Sequence, residues 1–266
     1  MDLSARRLLE EGAVAGPVLG IDTGGPVASL GVVADGRIRA AFVRSTISHC
    51  AGLPEAVAEV MDAAGVALSE LSAIAIAVGP GSFTGLRVGL SYAKGLAVAR
   101  NIAIAGVSSL DALALCAGSA LREGASVYPI IDARRGEVYT GLYRFVADAL
   151  KRASGDLVVP LTRLAAEIGG EVTLVGDTVA ERARSLLAAN GCQAVVFGGA
   201  ELHLRGSFVA AIGAAKVARK EADVAATLEP LYVRPPDAAS SSTALKSGED
   251  INGTPRGRTH PAIPRA

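Results

Sequence analysis

Tryptophan is absent from this chain, and aromatic residues make up only 4% of its 266 positions. Half the residues are apolar nonetheless, so a real core can form, and it must be filled by small side chains. Alanine is abundant and there are 31 glycines, which implies backbones packed close together. Charge of one sign is also missing: 26 basic residues balance 26 acidic ones. A chain that binds nucleic acid chiefly by itself usually carries a basic excess or a clustered basic face, and the charge balance gives no push that way. Cysteines are few, odd in number and far apart, at Cys50, Cys116 and Cys192, which reads as a reduced, cytoplasmic interior rather than a disulfide framework. The only histidines are His49, His203 and His260, and no CxxC occurs, which argues against a three-ligand zinc site. Long hydrophobic runs are missing too. Each is broken by Gly, Ser, Asp or Lys, so no membrane span is expected. Residues 1–17 hold Arg6 and Arg7 but no unbroken apolar stretch of signal length, and read as an N-terminal extension.

What is present alternates between two periods. Short apolar runs predict strands at 18–22, 27–33, 37–43, 74–78, 103–107, 127–132, 137–144, 172–176 and 194–197. Helical spacing predicts helices at 50–64, 83–99, 109–117, 160–168, 177–189 and 207–220, with Ser108 and Ser109 capping the third. Asp35-Gly36 is a hairpin turn signal. Residues 148–156 look like a polar loop, and 235–266 are polar, proline-containing and unpatterned, the composition of a disordered tail. An apolar strand ending in Ile-Asp, a small turn and a returning strand occurs twice, at Ile21-Asp22 and Ile131-Asp132, which suggests two related lobes.

The most informative stretch is GPGSFTGLR at 79–87. It joins a strand to a helix through a tight glycine turn. Gly79 and Gly81 allow close backbone approach, Ser82 or Thr84 can cap the helix, and N–H groups left free there would suit an anion. No Lys-Ser/Thr pair closes it, so it is not a Walker loop. A structural helix start and a phosphate contact both stand as readings.

Four stretches in order, GIDTGGPVASLGVV at 20–33, GPGSFTGLRVGLSYAKGLA at 79–97, GVSSLDALA at 106–114 and IDARRGEVYTGLY at 131–143, resemble the TsaB (YeaZ) family. The likeness implies a two-lobed α/β fold of the actin, sugar kinase and Hsp70 class with ribonuclease H-like lobes. The first lobe would span 18–100, completed by a helix at about 207–222, and the second 101–206. The family implies a non-catalytic partner of TsaD, the transferase that puts a threonylcarbamoyl group on N6 of the adenosine beside the tRNA anticodon (t6A). TsaE, an ATPase, would join the complex, which would use threonylcarbamoyl-AMP and ATP, with tRNA bound through the complex. No cofactor is expected for this chain itself, and a homodimer is expected when it is alone. The rivals are a small-molecule kinase or acyltransferase of the same fold, and a homodimeric scaffold unrelated to tRNA.

On that likeness Asp22, Thr23, Gly24, Gly79, Gly81, Ser82 and Asp132 are the residues of a vestigial nucleotide site. The bland reading is that Asp22 and Asp132 cap their own turns. Pro26 removes a donor from the first turn and leaves the cradle incomplete. His49 lacks a second histidine four residues on, where Leu53 stands, so the paired-histidine metal motif associated with TsaD is missing. For the partner surface, Leu53, Val57 and Met61 supply apolar knobs on one helix, while Gly85, Gly89 and Ala93 permit close approach on the next. Arg134 and Arg135 are candidates for contact with tRNA or a partner. Arg87 is expected to tie down the glycine loop.

Overall fold

The sequence AIAIA at 73–77 sets the design of the first sheet. Its two isoleucines point to one face and its three alanines to the other, because strand side chains alternate. The computed structural model describes residues 2–3, 8–10, 16–44, 52–118 and 121–233. A two-residue strand β1 (Asp2–Leu3) comes first. Strands β2 (Val18–Asp22), β3 (Ala28–Ala34), β4 (Arg37–Arg44), β5 (Ala73–Gly79) and β6 (Ala103–Ser108) then form one sheet in the order β4-β3-β2-β5-β6. Asp35 and Gly36, at φ 52° and 67°, make the tight turn between β3 and β4. Helices α1 (Leu53–Ala63) and α2 (Phe83–Arg100) pack Val57, Val60, Leu90 and Ala93 against Leu19, Ile21, Ile74 and Ile76. The alanine face receives α6 (Arg205–Ala218), the last helix of the described chain. It lies so close that a Cβ on Gly20 would stand 2.1 Å from the Gly206 carbonyl oxygen, and one on Gly213 2.2 Å from the Ala75 methyl. Only residues without bulk permit that approach.

The second sheet repeats the first. It contains β7 (Ser126–Pro129), β10 (Tyr143–Val146), β11 (Ala149–Arg152), β13 (Glu171–Val175) and β14 (Gln193–Phe197), with β1 at one end, in the order β1-β11-β10-β7-β13-β14. The central strand pairs antiparallel on one side and parallel on the other in both sheets. A small sheet of β8 (Ile131–Asp132), β9 (Glu137–Thr140) and β12 (Leu157–Pro160) is inserted after β7. Helices α4 (Leu161–Glu167) and α5 (Thr178–Ala189) pack on this half, while α3 (Ser109–Leu115), buried at all seven residues, lies in the core shared with α6. This is the two-lobed mixed α/β arrangement that the resemblance implies.

Four expectations are corrected. The single strand at 127–132 is two, β7 and β8, in different sheets. The single return strand at 137–144 is two strands in different sheets, since β9 pairs with β8 and β12 while β10 pairs with β7. The polar stretch at 148–156 holds β11, whose Leu150 is buried and whose charged Lys151 and Arg152 are held by pairing with β10. The N-terminal extension is partly built into the fold, for Asp2 and Leu3 pair with Lys151 and Leu150, and Leu8 is buried. The tail at 235–266, His49, Cys50 and His260 lie outside the described residues.

Candidate functional site

Two glycine turns meet at the C-terminal ends of β2 and β5. The Ser82 N–H donates to the Gly24 carbonyl at 2.8 Å, and the Thr23 hydroxyl donates to the Gly85 carbonyl at 2.7 Å. Gly81 and Gly85 are needed here, because a Cβ on either would stand 2.6 Å and 2.0 Å from the carbonyl oxygens of Gly24 and Thr23. Ser82 caps α2 by accepting the Gly85 N–H at 3.3 Å. Gly79 has φ +120°, and a side chain there would meet the Leu231 carbonyl oxygen at 2.8 Å. The N–H groups of Gly24, Ser82 and Gly85 therefore already have acceptors within the chain.

Asp22 is buried. Its Oδ1 accepts the Gly24 N–H at 2.9 Å, and its Oδ2 lies 3.5 Å from Nε of Arg205 at the start of α6. Asp132 makes the same turn contact, accepting the Arg134 N–H on Oδ1 at 2.8 Å, so both Ile-Asp turns are closed in the same way. Asp132 is exposed, however, and among the described residues it bonds within its own turn and not to the Asp22 turn. Arg134 and Arg135 follow at φ 65° and 55°, on an exposed turn. Arg134 also approaches Asp132 at 3.5 Å.

The expected partner knobs face inward. Leu53, Val57 and Met61 are 1%, 2% and 4% exposed and pack on the sheet's isoleucine face. Gly89 and Ala93 are buried as well, with a Gly89 Cβ position 2.1 Å from Thr23 Oγ1. The reason is that α1 and α2 have one apolar stripe each, and the sheet uses it. What the helices present outward is different: a shallow groove between them walled by Arg87, Val88, Ser91 and Tyr92, reached by an edge of the otherwise buried Leu53, with Phe83 41% exposed beside it.

Arg87 does not hold the glycine loop by its carbonyls. It lies over the Phe83 ring at 3.8 Å and donates from Nε to the Tyr232 hydroxyl at 2.9 Å. Tyr232 ends a strap that follows α6. The Asp223 N–H bonds the Ile104 carbonyl, Lys94 donates to the carbonyls of Ala226 and Leu228, and the Leu231 N–H bonds the Val78 carbonyl at 2.7 Å.

A second polar cluster was not foreseen. The Tyr143 hydroxyl donates to Asp111 at 2.7 Å, and Arg152 reaches Asp111, Asp156, Tyr143 and Ser108. Ser108 serves this cluster rather than capping α3. Burial, with Asp111 adding to it, pushes the Tyr143 hydroxyl well above its ordinary value. Burial would pull Arg152 down, but Tyr143, Asp111 and Asp156 outweigh it and raise it. The signal available in the sequence for this cluster is a charged residue, Arg152, in a polar segment; for the Asp22 pair it is Arg205, two residues before the alanine-rich helix expected at 207–220. Among the described residues no group of three His, Cys, Asp or Glu side chains comes together as a metal site, and no helix is long and apolar enough to cross a membrane.

Comparison with known proteins identifies this pattern. The family model for TsaD, tRNA N6-adenosine threonylcarbamoyltransferase, matches residues 44–241. The chain belongs to the TsaD family. Within it, the chain matches TsaB (YeaZ) proteins by sequence and by fold. It is 34% identical over 145 residues to the tRNA threonylcarbamoyladenosine biosynthesis protein TsaB of Bacillus subtilis, a match covering 54% of this chain and 62% of that protein. It is 35% identical over 128 residues to TsaB of Escherichia coli, covering 48% of this chain and 54% of that protein. Those matches span less than two thirds of either relative's length. A solved structure of YeaZ from Pseudomonas aeruginosa superposes with a TM-score of 0.62 at 26% identity, covering 82% of this chain and all of that one.

Proposed function

We propose that this chain is an accessory subunit of t6A synthesis that binds and supports a TsaD-type transferase without carrying out the transfer itself. The observation that carries the reading is the state of the glycine turns. They are bonded to each other, and the one buried carboxylate beside them is held by a backbone N–H and by Arg205. A reactive centre needs groups left free to meet substrate. The TsaB name of its relatives supports a role in making threonylcarbamoyladenosine. In this reading TsaE and tRNA join through the complex, threonylcarbamoyl-AMP and ATP are used there, and the site of action is the cytoplasm. The outward face of α1 and α2, with Phe83, Arg87 and Tyr92, is the surface that meets TsaD, and it pairs with a second copy when TsaD is absent.

The test is a reconstituted assay containing tRNA, the threonylcarbamoyl-AMP-forming enzyme and the organism's own TsaD and TsaE, read by mass spectrometry of digested tRNA. Modification should depend on adding this chain. The chain alone should hydrolyse ATP at the rate of a no-protein control. Turnover well above that control would favour the kinase or acyltransferase reading. Arg87→Glu should weaken TsaD binding in a calorimetric titration while leaving the circular dichroism spectrum intact.

A further inference from the structure

A nucleotide-binding lobe of this architecture would offer a phosphate or a metal-bound phosphate the turn after its first strand. Here that turn is TGGP at 23–26, and the residues around it do not fit such a group. Gly24 N–H is spent on Asp22 Oδ1, and Ser82 N–H is spent on the Gly24 carbonyl. The space over Gly25 is filled from inside the protein. A Cβ on Gly25 would stand 2.6 Å from Arg205 Nη2, 3.0 Å from Nη1 and 3.2 Å from Cζ, so the second glycine of the turn makes room for a guanidinium. That guanidinium is 7% exposed as a residue and donates from Nη2 to the Val27 carbonyl at 3.4 Å. Its Nε faces Asp22 Oδ2 at 3.5 Å, and neither of these two buried atoms has a hydrogen-bond partner elsewhere among the described residues. The helix that carries Arg205 is fixed on the same spot. The Ser29 hydroxyl accepts the Gly206 N–H at 2.8 Å and donates to the His203 carbonyl at 2.9 Å.

We propose that Arg205 is a resident counterion for Asp22, seated where a bound nucleotide's phosphate and metal would lie, so that the cradle of the first lobe is closed by the chain's own last helix. The chemistry favours this assignment. A buried carboxylate needs a positive partner, and a cation from solvent or a metal-bound phosphate would have to displace a guanidinium tethered by the backbone. Gly25 has a sufficient steric reason in Arg205, while a Cβ on Gly24 would meet Leu86 Cδ2 at 3.0 Å, so neither glycine of the turn requires a phosphate to explain it. The assignment stands apart from any role in tRNA modification, since it concerns only what occupies the turn.

The experiment has two arms. The first titrates the wild-type full-length chain with a fluorescent ADP analogue and Mg²⁺. No saturable signal is expected up to millimolar concentration, and saturable binding that Asp22→Asn removes would overturn the proposal. The second arm uses Arg205→Ala and follows thermal unfolding. The variant should melt several degrees below wild type, and 1–10 mM methylguanidinium, on the order of ten-fold above a weak cation-site affinity, should restore part of the loss. Methylammonium at the same concentration should restore less, because it lacks the planar fork. The double variant Asp22→Asn with Arg205→Ala should melt above Arg205→Ala alone and show no rescue. Equal response of the single and double variants to methylguanidinium would refute a counterion role. Should Arg205→Ala fail to fold, Arg205→Gln, which removes the charge but keeps much of the side-chain length, supplies the same cycle against Asp22→Asn. Additive losses in that cycle would equally overturn the pairing.

Discussion

Gly89 gives the sharpest test of where α2 spends its small residues. A methyl group added there would stand 2.1 Å from Thr23 Oγ1, 3.2 Å from Thr23 Cβ and 3.2 Å from Ile76 Cδ1. Thr23 is buried, and its hydroxyl is committed to the Gly85 carbonyl at 2.7 Å. Gly89→Ala therefore forces Thr23 to turn away and strand a buried hydroxyl, a cost of about 1–3 kcal/mol. Crowding of the packed interior adds about 1–3 kcal/mol. Against these, alanine in a helix gains about 1 kcal/mol over glycine. The net loss is about 1–5 kcal/mol, and a central value of about 3 kcal/mol lowers the melting temperature by roughly 6–12 °C for a chain of this size. In a Thr23→Ala background the 2.1 Å obstacle is gone and only the 3.2 Å contacts to Cβ of residue 23 and to Ile76 Cδ1 remain, which need a shift of a few tenths of an ångström. Gly89→Ala should there be neutral or stabilising, by up to about 1 kcal/mol.

The assay is a four-member thermal melt by circular dichroism: wild type, each single variant and the double. A loss of equal size in both backgrounds would sink the argument that Thr23 is what Gly89 makes room for. The same series separates core from interface. If Gly89 served mainly to admit a partner helix, as its spacing in the sequence suggests, Gly89→Ala would keep its melting temperature and lose affinity for TsaD.

Three further outcomes are expected. Tyr143→Phe removes the hydroxyl that donates to Asp111 and accepts from Arg152, and should cost about 1–3 kcal/mol in chemical denaturation. Asp156 is pushed up by burial, more than Arg152 lowers it, so the folded state holds this proton more tightly than the unfolded state does. Its contribution is present below the ordinary aspartate value of about 3.9 and fades as pH rises through the raised value, so Asp156→Asn should gain stability relative to wild type as pH climbs from about 4 towards neutrality; a constant difference across that range would contradict this. Gly95, exposed in the middle of α2 with nothing near its Cβ position, should gain about 0.5–1 kcal/mol on replacement by alanine, measured by the same melts.

Most of the strands and helices were legible because their signals are local. AIAIA carries its own two-faced pattern, and Asp35-Gly36 carries its own turn. The Ile-Asp echo was legible in part: both aspartates close their turns through the N–H two residues on, but Ile131-Asp132 is a strand of the small sheet rather than the end of β7. The misreadings share one cause, which is that side chains were assigned partners from their own segment. Leu53, Val57 and Met61 are correctly placed on one stripe, but a stripe does not say what it faces. Lys151 and Arg152 look like loop residues until β10 is laid beside them. Arg205 and Asp22 lie far apart along the chain and meet only because α6 returns to the first sheet.

That return explains why the two lobes, alike in strand order, differ at their Asp turns. After the first sheet is built, its alanine face and its Gly20–Gly31 pair remain open until α6 arrives, about a whole lobe later in the chain. When it arrives, Ser29 fixes its first turn and Arg205 is carried onto Asp22. Among the described residues α5 approaches β8 but carries no arginine onto Asp132, and there the aspartate stays exposed with two arginines of its own turn beside it. A fold with a buried Asp22–Arg205 pair in one half and an exposed charged turn in the other has been divided by its own topology. On the proposed function, the half sealed from within acts through its outer helices, and the groove beside Arg87, braced by Tyr232 of the strap, is the surface that reading assigns to the partner.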